Sequence, residues 1–332
     1  MSLNLEKQTA EFRDMFKKVR AEIQKVMVGQ GEIIDGVLTA VFCSGNVLLE
    51  GVPGLGKTML VRTLAQAMDL QFSRIQFTPD LMPADIVGTN VVVEEEGGRG
   101  RTIKFMSGPV FAQIVLADEI NRATPKTQSA LLEVMQEHTV TASGKQYRME
   151  EPFFVLATQN PLEMEGTYPL PEAQLDRFMF KLLVRYSNRA ELTEVLTRTT
   201  EGKNFECNKV IDGKTILAGR QLVREVLMAP HLKDFAVRIV MGTHPGGELG
   251  TDAANKFIRF GASPRAAQAL VLAGKVQALL DGRYHISHED ILAMAPAVLR
   301  HRLILNFEAE AEGIQTDDIV AKVLAAVPKT LD

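Results

Sequence analysis

The chain has 332 residues, of which 46% are hydrophobic and 23% charged, and its formal net charge at pH 7 is -4. This length favours about two domains, and the slightly acidic charge weakens any expectation of a nucleic-acid partner. The two cysteines, Cys43 and Cys207, are too few for a disulfide scaffold and favour a reducing cytoplasm. No apolar run reaches the ~18 residues of a membrane span, and the polar start lacks the apolar core of a signal peptide.

The first segment with a chemical signature is GVPGLGKT, residues 51–58, directly after an apolar strand predicted over residues 46–50. It matches the phosphate-binding pattern G-x-x-x-x-G-K-[ST]. Its glycines allow main-chain N–H groups to surround phosphate oxygens, and a helix predicted from Met59 onward directs its positive end at the same anion. Lys57 is expected to reach the β- and γ-phosphates, and Thr58 to offer its hydroxyl to Mg²⁺. The residues expected to bind nucleotide here are Val52, Pro53, Gly54, Leu55, Gly56, Lys57, Thr58 and Met59.

Two further predicted strands end in polar residues. Residues 113–117 form an apolar run that leads into Asp118 and Glu119. Asp118 is expected to hold Mg²⁺ through its water ligands, and Glu119 to polarise the attacking water as general base. A third buried strand, residues 153–157, leads to Asn160. This side chain is expected to orient water near the γ-phosphate, because ligands bind at the carboxyl edge of a parallel sheet; an Asn-Pro turn is the alternative interpretation.

The acceptor of the phosphoryl group is predicted to be water. The Asn-Lys-x-Asp quartet that guanine recognition uses does not occur in the sequence, and no segment resembles a phosphoacceptor pocket. These observations favour hydrolysis of ATP over GTP chemistry or kinase chemistry.

Hydrolysis by such a site usually needs additional positive charge on the transition state, and two arginines qualify. Arg177 lies at the end of a helix predicted in PEAQLDRF, and Arg265 lies in the first turn of a helix that Ser263 caps and Pro264 opens. Arg122, just after the acidic pair, is a weaker candidate. For each arginine taken alone, a solvated surface position is the simpler interpretation.

The rest of the chain gives the domain order. A strand is predicted over residues 72–77, a hairpin over 90–105 with the Gly-rich tip EEEGGRGR, and a second hairpin over 139–149 that turns at Ser143-Gly144. Between the hairpins, Thr124 and Pro125 predict the start of a helix. After about Tyr186 no further strands are expected. The later helices are predicted over residues 221–228, 263–280, 288–294 and 317–326, with capping boxes at Asn188/Glu191 and Ser287/Asp290. His231, His285, His288 and His301 have no metal-binding spacing.

The ordered set GVPGLGKT, LADEINRA, VLATQNP, EGTYPLPEAQLDRF and GASPRA resembles the MoxR family of AAA+ ATPases over roughly residues 25–330. The resemblance implies an α/β P-loop NTPase fold, with a three-layer αβα core around a parallel sheet and a C-terminal all-α lid. The expected domains are 1–187, an N-terminal helix plus the nucleotide-binding core, and 188–332, the lid.

The resemblance also implies roles for individual residues. Lys57 and Thr58 fall in Walker A, and Asp118 and Glu119 fall in Walker B. The remaining assignments are Asn160 as sensor 1, Arg177 as the arginine finger, Arg265 as sensor 2, and Val28, Gly29 and Gln30 as adenine contacts. A plain turn into a helix is the alternative for residues 28–30. The 90–105 hairpin corresponds to the helix-2 insert and the 139–149 hairpin to the pre-sensor-1 hairpin, and both are expected to face a central pore.

Members of this family are thought to form hexameric rings that remodel or activate other proteins. Their partners often carry a von Willebrand factor A (VWA) domain, and metal or cofactor insertion is sometimes involved. Two other functions stay open: a nucleic-acid motor, because related helicase rings share both hairpins, and a subunit of a magnesium-insertion complex. The balanced charge of EEEGGRGR and the acidic net charge disfavour nucleic acid.

Overall fold

The computed structural model describes residues 2–94, 101–142, 144–161, 166–201 and 205–329. The helices in these ranges are α1 Ser2–Val26, α2 Gly31–Phe42, α3 Lys57–Ala67, α4 Pro83–Val87, α5 Pro125–Glu137, α6 Glu172–Leu175, α7 Arg189–Thr200, α8 Gly213–Glu225, α9 Pro230–Met241, α10 Asp252–Phe257, α11 Pro264–Leu280, α12 His288–Leu299, α13 Phe307–Ala311 and α14 Thr316–Ala326. The strands are β1 Val47–Glu50, β2 Phe72–Gln76, β3 Gly88–Glu94, β4 Arg101–Ser107, β5 Ile114–Asp118, β6 Thr139–Ala142, β7 Lys145–Arg148, β8 Phe154–Gln159, β9 Phe180–Leu183, β10 Ile258–Phe260 and β11 Ile304–Leu305.

Five strands form one parallel sheet in the order β2-β5-β8-β1-β9. Four of them are the strands predicted from the sequence, while β9 was not predicted. Because every strand is parallel, all five carboxyl ends lie at the same edge of the sheet. Asp118 at the end of β5 is in register with Gln76 of β2, and the segment after β1 begins beside the end of β8.

Alternate residues along the strands pack into two separate apolar clusters, one on each face of the sheet. Leu49 and Leu116 belong to the face covered by α2 and α3, and their cluster continues into the lid helices. Leu48 and Val115 belong to the opposite face, which packs on α5. Full burial of one such side chain contributes about 1.5–3 kcal/mol to folding stability, so both clusters stabilise the packing of the helices on the sheet. The predicted three-layer αβα core with a parallel sheet is confirmed.

The region after β9 is helical, as expected, but it is not all-α. β10 and β11 pair as a short antiparallel ribbon, with Ile258 opposite Leu305 and Phe260 opposite Ile304. The prediction that strands stop after about Tyr186 is therefore wrong in this detail. Strands of three and two residues are too short to leave a periodic signal in the sequence.

The helix predicted over residues 221–228 has different bounds in the structure. α8 begins after Asp212, whose carboxylate accepts from the Thr215 amide at 2.9 Å, and it ends at Glu225. Glycines weaken the helical pattern of its first turns. Gly219 is needed there because a Cβ atom at this position would lie 2.8 Å from the Phe42 ring. Close packing of α8 on α2 therefore outweighs the poor local propensity.

Local capping signals predicted several other helix starts correctly. Asn188 and Glu191 form a capping box at α7, with distances of 3.0 and 2.9 Å, and Ser287 and Asp290 form another at α12. Ser263 caps α11 by accepting from the Arg265 amide. At α5, Thr124 occupies the N-cap position without a capping hydrogen bond from its side chain.

Both predicted hairpins are present as β3–β4 and β6–β7. The tip residues 95–100, Ser143 in the second turn, and Glu165 in the EGTYPL motif lie outside the described residues. The two hairpins meet through Phe105 and Tyr147, whose rings stack with centroids 4.5 Å apart. The predicted domain boundary at residue 187 falls between β9 and α7 and stays a prediction.

Candidate functional site

The loop between β1 and α3 has the backbone that an anion site needs. Gly54 and Gly56 have φ of +83° and +77°, in the left-handed region that favours glycine. Gly56 is the N-cap of α3 and has no side chain to accept from the first amides of that helix. The N–H groups of the first turn are thus left available, and the positive end of the helix favours an anion there.

Lys57 lies at the start of α3 and donates to the carbonyl oxygen of Gly51. Burial lowers the pKa of Lys57, and the negative charges of Asp118, Glu119 and Glu50 partly oppose this effect. A half-buried ammonium at this position gains from an anion placed in the loop.

Asp118 is the centre of a hydrogen-bond network at the carboxyl edge of the sheet. Its Oδ1 accepts from Thr158 Oγ1 at 2.6 Å, and its Oδ2 lies 3.4 Å from Thr58 Oγ1. Arg74 on β2 donates to the same Oδ2 from Nε at 3.0 Å and from Nη2 at 2.7 Å. The carboxylate is therefore held by side chains of the two neighbouring strands, β2 and β8, and lies near the Thr58 hydroxyl at the start of α3.

Glu119 adopts a left-handed backbone conformation, with φ of 55° and ψ of 51°, which a non-glycine residue rarely occupies. Its amide donates to Thr158 Oγ1 at 2.8 Å, and its Oε2 accepts from Gln76 Nε2 and Arg122 Nη1, both at 3.1 Å. Residues with such strained backbone conformations are concentrated at functional sites, where contacts with surrounding residues maintain the strain. The turn directs the Glu119 carboxylate to the sheet edge beside Asp118, where a general base would act.

Three residues of this network were missed by the sequence reasoning: Arg74, Gln76 and Thr158. The first two alternate with buried Ile75 on β2, so they share one face of that strand. Their pairing with Asp118 and Glu119 depends on β2 lying beside β5, which the sequence does not reveal. Thr158 directly follows the strand predicted over residues 153–157, and its bridge between Asp118 and the Glu119 amide depends on β8 lying beside β5.

The other predicted catalytic residues are distributed around this centre. Asn160 follows β8 directly and is 5% exposed, at the same edge as Asp118. Among the described residues, neither Arg177 nor Arg265 contacts the Lys57–Asp118 group. Arg177 Nη1 donates to the Leu132 carbonyl at 2.8 Å, while Arg265 Nη1 pairs with Asp176 at 3.1 Å.

Comparison with known proteins identifies the family of this chain. The family model described as "ATPase family associated with various cellular activities (AAA)" matches residues 46–180, and the "AAA lid domain" matches residues 251–323. "Chaperone MoxR1" of Mycobacterium tuberculosis is 41% identical over 92% of this chain and 80% of its own length. "Protein MoxR" of Methylorubrum extorquens is 31% identical over 96% of both chains. The chain belongs to the MoxR family of AAA+ ATPases.

A solved structure supports the fold across nearly the whole length. A crystal structure of a proposed ATPase from Cytophaga hutchinsonii is 43% identical, covers 98% of both chains and superposes with a TM-score of 0.90. The AAA+ core and the helical lid thus match a solved structure across nearly the whole chain.

The oxygen atoms at the sheet edge fit a bound Mg²⁺. The Thr58 hydroxyl and the Asp118 carboxylate are hard oxygen ligands of the kind that this ion prefers, and they lie 3.4 Å apart. The left-handed turns at Gly54 and Gly56 leave the adjoining loop open for phosphate oxygens. Thr58 and Asp118 are the residues expected in Walker A and Walker B, and a Mg²⁺ held there would neutralise charge on the phosphates.

Of the three predicted adenine contacts, Gln30 lines a cavity of about 380 Å³ between α2, β9 and the start of α7. Its Nε2 also donates to the Arg185 carbonyl at 2.9 Å. Val28 and Gly29 form the turn before α2, and Gly29 has φ of +68°. The alternative interpretation, a turn leading into a helix, describes the backbone here correctly, and adenine contact stays a prediction.

The cysteines, the metal-ligating side chains and the helices were compared with the requirements of other kinds of site in the described part of the chain. Cys43 and Cys207 are free, and burial raises the pKa of both thiols. Across the described ranges, no group of three or more histidine, cysteine or acidic side chains is arranged to hold a metal. In the same ranges, none of the helices combines the length and apolarity needed to cross a membrane.

Proposed function

We propose that this chain is an ATP-hydrolysing, chaperone-like motor of the MoxR type that remodels, assembles or activates partner proteins. The observation that carries the proposal is the convergence of Lys57, Thr58, Asp118 and Glu119 at one edge of the sheet. Lys57 and the loop amides bind the phosphates, Thr58 and Asp118 hold Mg²⁺, and Glu119 accepts a proton from the attacking water.

Two further catalytic residues and three adenine contacts complete the site in this proposal. Asn160, at the end of β8, orients the water as sensor 1. Arg265, from the lid, contacts the γ-phosphate as sensor 2. Val28, Gly29 and Gln30 contact adenine, supported by the cavity that Gln30 lines. The lid begins at residue 188 and closes over the nucleotide.

Arg177 acts on the nucleotide of a neighbouring subunit in a homo-hexamer. Its hydrogen bond to Leu132 on α5, away from Lys57 of its own chain, supports a role in trans. The arginine supplies positive charge to the transition state when the neighbour docks, so turnover depends on assembly.

Client proteins contact the hairpins. Val92 and Ile103, which face each other across β3 and β4, are 63% and 72% exposed, and Met106 is 60% exposed. Exposed apolar side chains grouped on one hairpin are typical of protein-interaction sites. The stacking of Phe105 on Tyr147 supports joint movement of both hairpins. The leading candidate for the client is a VWA-domain protein. Metal or cofactor insertion is one outcome of the remodelling, which takes place in the cytoplasm.

The sharpest test compares Glu119→Gln with Lys57→Ala. Loss of the general base is expected to reduce turnover by ~10²–10⁴ while ATP stays bound. Lys57→Ala is expected to abolish nucleotide binding. Binding is measured by calorimetry and turnover by phosphate release over a range of protein concentrations.

Glu308→Gln, an exposed change in the lid, is the matched control and should behave as wild type. Affinity purification with Glu119→Gln plus ATP, read by mass spectrometry, would identify the client. Absence of any affinity of the wild-type protein for ATP with Mg²⁺ would overturn the proposal.

A further inference from the structure

A second carboxylate, Asp176, joins the core to the lid one residue before Arg177. It lies directly after α6 and is largely buried, with 17% of its side chain exposed. Three lid groups donate to it: Ser263 Oγ at 2.7 Å, Arg302 Nε at 2.9 Å and Arg265 Nη1 at 3.1 Å. Burial alone would raise the pKa of Asp176, but the Ser263 hydrogen bond and both arginines outweigh it and hold this pKa below its usual value.

The two arginines that share Asp176 differ in how firmly they are held. The Arg302 side chain is 2% exposed and also donates to the carbonyl oxygens of Phe178 at 2.7 Å and Met179 at 3.1 Å. The Arg265 side chain is 45% exposed, and within the described ranges its only ion pair is the one with Asp176. Arg302 is thus a fixed part of the junction, whereas Arg265 can leave it.

Departure of Arg265 would leave no isolated charge behind. Asp176 would keep Arg302 and Ser263, so its buried carboxylate would stay paired. A half-exposed ion pair is weak, and a triphosphate offers Arg265 a larger negative charge than one carboxylate does. The geometry therefore gives Arg265 two alternative anionic partners.

We propose that Asp176 is a positioning residue that holds Arg265 while no ATP is bound and competes with the γ-phosphate for it. This inference rests on the proposed function, in which Arg265 is sensor 2. Arg265 would be released from Asp176, which directly precedes Arg177. Arg302 also fixes this segment by donating to the Asp176 carbonyl at 3.2 Å. ATP binding in one site would thereby alter the surroundings of the arginine that serves the next.

The test measures ATP affinity after Asp176→Asn, in a Glu119→Gln background that prevents turnover. Removal of the competing charge should lower the Kd for ATP by about twofold to fivefold, the range that half-exposed ion pairs contribute. The Kd for ADP should not change, because ADP lacks the γ-phosphate. A purely structural role for Asp176 would instead weaken binding of both nucleotides.

Two further variants make the result specific. With Arg265→Ala already present, Asp176→Asn should have no additional effect on the Kd for ATP. Asp317→Asn is the matched control, because Asp317 pairs with Arg300 elsewhere in the lid at 2.9 Å, and it should leave ATP binding unchanged. Unchanged or weaker ATP binding by a folded Asp176→Asn protein would overturn the inference.

Because Asp176→Asn also removes the charge that pairs with buried Arg302, a measurement on the wild-type protein accompanies it. The arginine Nε–H resonances are recorded by NMR, with those of Arg265 and Arg302 assigned from Arg265→Lys and Arg302→Lys. A non-hydrolysable ATP analogue should shift the Arg265 signal, whereas ADP should leave it in place. An Arg265 signal that the analogue does not move would overturn the inference, whereas failure of wild type to bind ATP at all would overturn the proposed function itself.

Discussion

Two aspartates of this molecule are held by arginines. One lies in the proposed hydrolysis site, and the other lies at the junction proposed to regulate that site. Asp118 is held within the core by Arg74 of the neighbouring strand and by Thr158 of another. Asp176 is held across the domain junction by Arg265 and Arg302 of the lid. Each carboxylate lies beside a residue of the proposed reaction, because Asp118 precedes Glu119 and Asp176 precedes Arg177.

The difference lies in what fixes the partners. The strands that carry Arg74 and Thr158 are joined to β5 by main-chain hydrogen bonds, so the backbone positions of both partners are fixed relative to Asp118. Arg265 lies on a lid helix and reaches Asp176 only with its side chain. The structure thus keeps the ligand and base in a rigid sheet and leaves its exchangeable contact at the domain junction, where a small movement costs little.

The largest expected effect is the loss of turnover in Arg177→Ala, a change at the residue that follows Asp176. If Arg177 completes a neighbour's site, turnover should fall by at least ~100-fold, since a trans arginine is worth ~10³–10⁵ in related phosphoryl transfer. The Kd for ATP should change by less than about twofold, because the arginine acts on the transition state. Phosphate release and calorimetry on the assembled protein measure the two quantities.

A mixing experiment separates action in trans from action within one chain. Arg177→Ala and Glu119→Gln subunits should each be inactive alone. Where they adjoin, one interface receives an intact Glu119 from the first and an intact Arg177 from the second, so the mixture should recover measurable turnover. Normal turnover by Arg177→Ala as an isolated monomer would contradict the assignment.

The same contrast explains how much could be predicted from the sequence. The strand, loop and helix around Lys57 depend on neighbours within about ten residues, and the sequence predicts them. The capping of α11 by Ser263 is equally local. Arg74 and Arg302 each contact an aspartate more than 40 positions away, and no local pattern encodes such a pairing. β9 lies in the apolar run FMFKLLV, residues 178–184, and only its place at the sheet edge beside β1 depends on a distant partner.

A smaller effect, on the Mg²⁺ requirement, is expected from Arg74→Gln, which removes the arginine that pairs with Asp118. Arg74 shares Asp118 Oδ2 with Thr58, so its positive charge opposes a cation at that oxygen. Its side chain is 47% exposed, and screening limits this opposition to less than ~1 kcal/mol, or about fivefold. The Mg²⁺ concentration for half-maximal turnover should therefore fall by up to about fivefold.

Magnesium titration of phosphate release at saturating ATP measures this change, with Arg62→Gln, an exposed arginine on α3, as the matched control. A higher Mg²⁺ requirement would mean that Arg74 orients Asp118 more than it competes with the cation. The Arg74–Asp118 pair would then orient a ligand, whereas the Arg265–Asp176 pair is proposed to compete with one.

The smallest effect concerns stability against pH at the lid junction. His301 precedes Arg302, and its Nε2 contacts the Phe178 carbonyl at 2.9 Å. Burial, and then the charge of Arg302, lower the pKa of His301 well below 6.5. The folded protein keeps this ring neutral, whereas the unfolded chain binds a proton as pH falls below about 6.5. The free energy of unfolding should therefore decrease on acidification from there, by at most ~1.4 kcal/mol per pH unit from this group.

Urea unfolding between pH 7.5 and 5 measures this slope, and His301→Gln provides the comparison because its amide can still donate to the Phe178 carbonyl. The variant should show a flatter dependence on pH in this window. Asp176 does not interfere, because its lowered pKa keeps the carboxylate charged until well below the window, and its contribution is lost only as pH falls through that folded value. An unchanged slope in His301→Gln would show that His301 does not make the lid junction sensitive to acid.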